Sequence, residues 1–208
     1  MMKKRVHIWP WLLVFLLGGC GYVQGYLDMM KDRGLSEEYA QSLRTWTRDA
    51  TAHSQLETKF YISATYRSPE FNDAFKKEQA RVRQWPEEQT RKQEEMWRRL
   101  TAQYREFLVY AYTSNREAND FGGRNSIWSV FLLDGKGNRH EPLEIRKVEQ
   151  INAELEVFFP FVNKYYGKSY IVKFPVFNDN PKIRLIFASV LGRADLVWKV
   201  EETGKAKR

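Results

Sequence analysis

From residue 106 onward, apolar side chains recur at every second position in short runs broken by turn residues. No other feature constrains the fold as much, because a period of two puts successive side chains on opposite faces of a strand. Phe107 to Thr113, Ile127 to Leu133, Leu143 to Val148, Tyr170 to Phe177, Ile183 to Phe187 and Ala194 to Val200 read as strands. Residues 57–66 add a seventh, with Phe60, Ile62, Ala64 and Tyr66 on one face. Turn signals separate them, notably Asp134-Gly135-Lys136-Gly137-Asn138 and Leu191-Gly192-Arg193. Pro175 predicts an edge position for its strand, since proline cannot donate to a ladder. Short strands with turns between them predict an antiparallel sandwich.

Two helical regions interrupt the alternation. Ser36 is a helix N-cap followed by Glu37 and Glu38 in the first turn. Tyr39, Leu43, Trp46 and Ala50 continue it as one apolar stripe. Ser68-Pro69 opens a second helical stretch that runs to about residue 105 and breaks at Trp85-Pro86. Its second half carries four acid-before-base pairs at i, i+4, from Glu87 to Arg91, Glu88 to Lys92, Glu94 to Arg98 and Glu95 to Arg99. Few apolar residues occur between 76 and 95, which predicts a solvated helical arm docked near Met96, Leu100 and Tyr104. Residues 76–105 hold nine basic and five acidic side chains, an excess of four positive charges. Any electrostatic partner is therefore expected on this arm, with Arg91, Lys92, Arg98 and Arg99 as candidate binding residues.

The chain's means to do chemistry are sparse. With 43% apolar and 29% charged residues it has the composition of a soluble globular protein. One cysteine excludes an internal disulfide, and three histidines leave no material for a Cys/His metal cluster, so neither a metal nor a cofactor is expected. His53 and His140 lie in polar segments without ligand spacing, and no phosphate-binding glycine loop or nucleophile elbow occurs. Asp120 with Asp134, or Glu117 with Asp120, are conceivable as paired carboxylates in loops, and acids in turns are usually turn formers. No catalytic residue is assigned. The aromatic run Phe158, Phe159, Phe161, Tyr165, Tyr166 and Tyr170 reads either as a core crossing or as an exposed platform. On the second reading Phe158, Phe159 and Phe161 are candidate binding residues.

The strand-rich part, with Leu185 to Gly192 followed by Ala194 to Trp198, resembles an immunoglobulin-like sandwich. The expected architecture is mainly β with helices: an antiparallel immunoglobulin-like β-sandwich of about seven strands, an N-terminal helix and a charged helical insertion at 69–105.

The amino terminus indicates where such a body resides. Lys3, Lys4 and Arg5 precede a fourteen-residue apolar run, too short for the ~20 residues a bilayer core requires. The run ends in Leu17-Gly18-Gly19-Cys20, which resembles the lipobox of bacterial lipoproteins. That resemblance implies recognition of Leu17, Gly18 and Gly19 by a signal peptidase, cleavage before Cys20 and lipidation of its thiol. Gly21, in place of a retaining aspartate, implies the outer membrane facing the periplasm if the source is Gram-negative. Removing Lys3, Lys4 and Arg5 lowers the formal charge from +8 to +5. The expected organisation is a signal at 1–19, a lipidated tether and helix at 20–55, the sandwich at 56–201 and a polar tail at 202–208.

The partners expected are the bilayer, through acylated Cys20, and another envelope protein or anionic envelope polymer; export argues against nucleic acid. The expected role is a non-enzymatic structural or interaction module. A glycan- or wall-polymer-binding module using aromatic platforms is the alternative, and an envelope hydrolase with paired carboxylates is a third.

Overall fold

The computed structural model describes residues 30–54, 57–179 and 181–200. The signal segment, Cys20 and the tail lie outside the described residues. The order of elements is α1 (Glu37–Trp46), β1 (Thr47–Ser54), β2 (Glu57–Tyr66), α2 (Pro69–Arg83), α3 (Glu87–Gln103), β3 (Tyr104–Thr113), β4 (Ser129–Leu133) and β5 (Arg139–His140). Then follow β6 (Glu144–Lys147), α4 (Ala153–Phe158), β7 (Lys168–Pro175), β8 (Lys182–Ser189) and β9 (Gly192–Lys199). The strands form two antiparallel sheets, one in the order β1-β2-β3-β7-β6 and one in the order β5-β4-β8-β9.

The predicted alternation sets the core. Phe60, Ile62, Ala64 and Tyr66 are fully buried, as are Phe107, Val109 and Ala111 opposite them on β3. They meet Leu185, Phe187, Leu196 and Trp198 of the second sheet. Aromatic rings lock the two sheets together: Phe107 lies 5.4 Å from Trp198, Phe60 5.3 Å from Trp128, and Phe121 5.2 Å from Phe187. Trp198 Nε1 donates to the Trp46 carbonyl at 2.8 Å and Arg48 Nε to the Val197 carbonyl at 2.9 Å, joining β9 to the start of β1. Each bond satisfies a polar group that would be costly to bury alone.

The other face of the first sheet is covered as well. Ser63, Thr65 and Leu108 point away from the second sheet and are still buried. The helices supply that cover, through a second aromatic cluster. Tyr39 of α1 sits 5.8 Å from Phe158 and 6.1 Å from Phe71, while Phe75 of α2 sits 5.3 Å from Phe158 and 5.6 Å from Phe159. The molecule is thus built in three layers, helices on sheet on sheet.

Several expectations need correction. The apolar stripe of α1 stops at Trp46, and Ala50 belongs to a strand, β1, that pairs with β2 from Thr47↔Thr65 to Ser54↔Glu57. The first sheet therefore begins at residue 47, inside the segment assigned to tether and helix. A four-residue spacing between Trp46 and Ala50 suits a helix, but the β-branched Thr47 and Thr51 favour an extended chain where a neighbouring strand waits. Within the expected tether, Met30 and Leu35 are buried in the core. With β1 and the two-residue β5 added, the described residues hold nine strands rather than seven. Pro175 does not mark an edge. Strand β7 lies between β3 and β6, and Pro175 is its last residue, where its missing N–H costs nothing to the ladder.

Candidate functional site

The helical insertion is a hairpin whose two halves are held differently. Ser68 Oγ accepts from the Phe71 amide at 3.1 Å and Pro69 occupies the first helical position, as its sequence predicts. Gln84 ends α2 in a left-handed conformation, φ 50°, its amide bonded back to the helix. Trp85-Pro86 then makes the break and α3 returns to β3.

At the base of the hairpin, Arg67 is buried. Its Nε donates to Asn72 Oδ1 at 3.1 Å and its Nη1 to Glu106 Oε1 at 3.3 Å, and its backbone amide bonds the Glu106 carbonyl. Its guanidinium lies over Trp97 at 4.1 Å and over Phe75 at 5.1 Å. Burial lowers the Arg67 pKa, and the neighbouring Glu106 partly offsets this. Trp97 of α3 is thereby held under Arg67, one residue beyond the expected contact at Met96, while Leu100 and Tyr104 are half-buried. Met96 is 43% exposed and Trp97 takes the packing role. A helix with so few apolar side chains shows too little periodicity to say which of two adjacent residues faces inward.

Between α2 and α3 runs an open groove of about 850 Å³. On one wall stand Asp73, Lys76 and Lys77 and on the other Arg91, Glu94 and Arg98, with Trp97 between them. Lys76 pairs with Asp73 at 2.8 Å and Lys77 with Glu38 at 3.7 Å. Arg91 and Arg98 make no ion pair among the described residues. They stand seven residues apart on one face of α3, a rise of about 10 Å.

The four candidate cations therefore do not form one patch. Arg91 and Arg98 face the groove, whereas Lys92 and Arg99 lie on the other side of α3 with Met96 and Leu100. Lys92 is paired with Glu88 at 2.6 Å and Arg99 with Glu95 at 2.5 Å. Of the four predicted i, i+4 pairs, these two close.

The aromatic candidates are placed elsewhere. Phe158 is 3% exposed and Phe159 2%, both in the helical cluster, and Phe161 is half-buried 6.0 Å from Phe159. Neither Phe158 nor Phe159 can offer a surface platform, because each already fills the space between helices and sheet. The exposed rings of this run are Tyr165 and Tyr166.

The carboxylates are engaged in turns. Asp134 Oδ1 accepts from the Lys136 and Asn138 amides at 2.9 and 2.8 Å, and its Oδ2 bonds His140 Nε2 at 3.0 Å. Burial would raise the Asp134 pKa, but these bonds outweigh it and hold the carboxyl well below the usual range. Asp120 Oδ1 accepts from the Gly123 amide at 2.9 Å. Both acids act as turn formers. Among the described residues no group of His, Cys, Asp or Glu is arranged to hold a metal, and no helix is long and apolar enough to cross a membrane.

One polar centre was missed from sequence. Glu78 of α2 is buried and binds the first turn of α1. Its carboxylate accepts from the Ser36 amide at 2.8 Å, the Ser36 hydroxyl at 2.6 Å and Arg81 Nη2 at 2.6 Å. Burial alone would raise its pKa, yet these donors prevail and lower it. In the sequence Glu78 is one acid among many on a charged helix; only its partner forty-two residues away singles it out.

Comparisons with protein-family models, with curated proteins and with solved structures find no match to this chain.

Proposed function

We propose that this chain is a lipid-anchored protein of the bacterial envelope, held through Cys20. It acts as a non-enzymatic interaction module whose α2–α3 groove receives an acidic segment of another envelope component. The observation that carries the reading is the pair Arg91 and Arg98, aimed into one groove without carboxylate partners of their own. Lys76, Lys77, Lys92 and Arg99 are held in ion pairs, whereas Arg91 and Arg98 on the groove wall are not, which supports their use by a partner. The rigid body beneath suits such a role, since binding elements are commonly presented on stiff scaffolds.

We read that scaffold as immunoglobulin-like. The order β2-β3-β7-β6 follows the A-B-E-D sheet of such domains, and β5-β4-β8-β9 follows C′-C-F-G. The buried Trp128 beside β4 supports the same reading. On it, the helical hairpin is an insertion between the first two strands of the domain, preceded by β1 as an extra edge strand.

The glycan-binding alternative draws on the aromatic run at 158–170; Phe158 and Phe159 are buried and offer no platform, which leaves it the exposed Tyr165 and Tyr166. The hydrolase alternative is less favoured, because the carboxylates of Asp134 and Asp120 are bonded within their own turns.

Two experiments test the proposal. Mass measurement of the mature protein is expected to show a chain beginning at Cys20 and carrying lipid. Cross-linking in living cells, followed by identification of the partner, is expected to lose that partner about tenfold or more in the Arg91→Glu/Arg98→Glu variant, in line with the cost of reversing charges at a contact. Lys92→Glu/Arg99→Glu should leave most of the capture intact. Equal capture by wild type and Arg91→Glu/Arg98→Glu overturns the groove.

A further inference from the structure

One end of the molecule receives the first described residues. Strand β3 runs from Tyr104, paired with Pro175, to Ala111, paired with Lys168, and onward to Thr113 opposite Phe60. The turn at 163–167 leads into β7 at the Ala111 end. The first described residues arrive at that same end. Arg33 Nη1 donates to the Glu156 carbonyl at 2.8 Å, and Lys164, two residues before Tyr166, donates its amide to Glu156 Oε1 at 3.2 Å. The tip of the helical hairpin joins them. Arg81 bonds the Gly34 carbonyl, Arg83 pairs with Glu154 of α4, and Arg83 also lies over Trp85 at 5.4 Å.

This end also gathers exposed apolar side chains. Tyr165 is 72% exposed, Tyr166 71% and Val82, on the last turn of α2, 46%. Val190 is 88% exposed in the β8–β9 turn, and the same turn brings Gly192 against Phe60 and Ala52, at this end of the first sheet. The two tyrosines are not on a loose loop. Tyr110 Oη donates to the Asn163 carbonyl at 3.1 Å, Asn163 Oδ1 accepts from the Tyr165 amide at 2.9 Å, and the Gly167 amide returns to the Asn163 carbonyl. A Cβ on Gly167 would come within 2.4 Å of the Tyr110 ring, so glycine is what lets the turn close down on β3. The turn is pinned from beneath and holds two rings in solvent. Lys164 lies over Tyr165 at 5.2 Å, a cation beside an aromatic. Glu154 and Glu156 are already paired with Arg83 and Lys164, while Asp32 is an exposed acid between Lys31 and Arg33.

We propose that this end is a membrane-docking face, on which the exposed Tyr165, Tyr166 and Val82, with the half-buried Trp85 beside them, enter the interfacial layer of the leaflet that holds Cys20. The inference rests on the lipid-anchor reading and deepens it by saying how the body sits. Tyrosine and tryptophan favour the bilayer interface, where a ring is half dry and its polar group wet, and flanking Lys and Arg reach the phosphates. Ten residues separate Cys20 from Met30, a reach of at most ~35 Å, so the anchor keeps this end near the leaflet.

The test uses the full chain as isolated from membranes, reconstituted in phosphatidylethanolamine/phosphatidylglycerol vesicles with brominated acyl chains. Two single tryptophan reporters are compared with the wild-type background. Tyr166→Trp sits on the proposed face. Leu143→Trp sits at an equally exposed site beside Lys173, at the other end of the sheet. Bromine quenches only nearby rings, so the emission added by Tyr166→Trp is expected to fall about twofold or more, and that added by Leu143→Trp to stay unchanged. With Cys20 shown by mass to be lipidated, equal quenching of both reporters, or of neither, overturns the docking face and leaves the anchor. A bare thiol with selective quenching overturns the anchor and leaves the docking face. A bare thiol without it overturns both. Both sites are exposed, and an unchanged thermal midpoint confirms that each variant is folded.

Discussion

Helices α2 and α3 are halves of one hairpin, similar in length and both rich in charge, yet they belong to the molecule in different ways. Helix α2 is capped by Ser68 and buries Phe71, Asn72, Phe75 and Glu78. Helix α3 has no side-chain cap and buries none of its residues. It is held by Trp97 on Arg67, by its continuation into β3 and by its own Glu88–Lys92 and Glu95–Arg99 pairs. Isolated helices are marginal in water, and most of the stability of a helix in a protein comes from a packed face. One half of the hairpin is therefore part of the core, and the other is a wall that the core presents. That division leaves side chains of α3 available for a partner without cost to the fold.

The comparison breaks most visibly at Phe75. Phe75→Ala is expected to cost about 3–5 kcal/mol in denaturant unfolding, because the ring touches Tyr39, Phe71, Phe158 and Phe159 and no neighbour can fill its place. Met96→Ala on α3 should cost under about 0.5 kcal/mol, the usual range for a surface site. If the two losses were alike, the division between core helix and wall helix would be wrong.

Glu78 sharpens the contrast through pH. Glu78→Gln should cost about 1–3 kcal/mol at neutral pH, since it weakens the donors of Ser36 and Arg81 at a buried site. The folded protein holds this carboxyl below its ordinary value. Its contribution is therefore fully present above the ordinary carboxylate pKa and is lost as pH falls through the lower folded value. Acid titration of the unfolding midpoint is expected to be less steep in Glu78→Gln than in the wild type; identical acid limbs would exclude the linkage.

The smallest effect belongs to the exposed pair on α3. Glu95→Gln should cost about 0.2–0.5 kcal/mol, and less in high salt, because the pair with Arg99 is solvated. A loss above 1 kcal/mol would mean that α3 is held by more than its one aromatic anchor.

Much of this fold was legible along the chain. Strand β2 begins and ends where its alternation does, and the hairpin opens at Ser68-Pro69 and breaks at Trp85-Pro86 as those residues require. These are local matters, decided within a few residues by side-chain direction and by what proline forbids. What escaped was non-local. Ala50 could have continued a helix, and became part of a strand because β2 lay alongside to pair with it. Pro175 could have marked an edge, and instead ended a strand buried between two others.

The same holds for the candidate site. Sequence by itself determined that residues 76–105 carry the excess of positive charge and that Phe158, Phe159 and Phe161 form a dense aromatic run. Only the tertiary structure decided that Arg91 and Arg98 share a groove while Lys92 and Arg99 turn away, and that Phe158 and Phe159 are core. A helix lists its charges in order but shows them by angle, and which angle faces a neighbour is set where Trp97 lies under Arg67. Likewise an aromatic run has the same composition whether it is wet or dry. Its burial depends on the helices that fold back over it from more than seventy residues away.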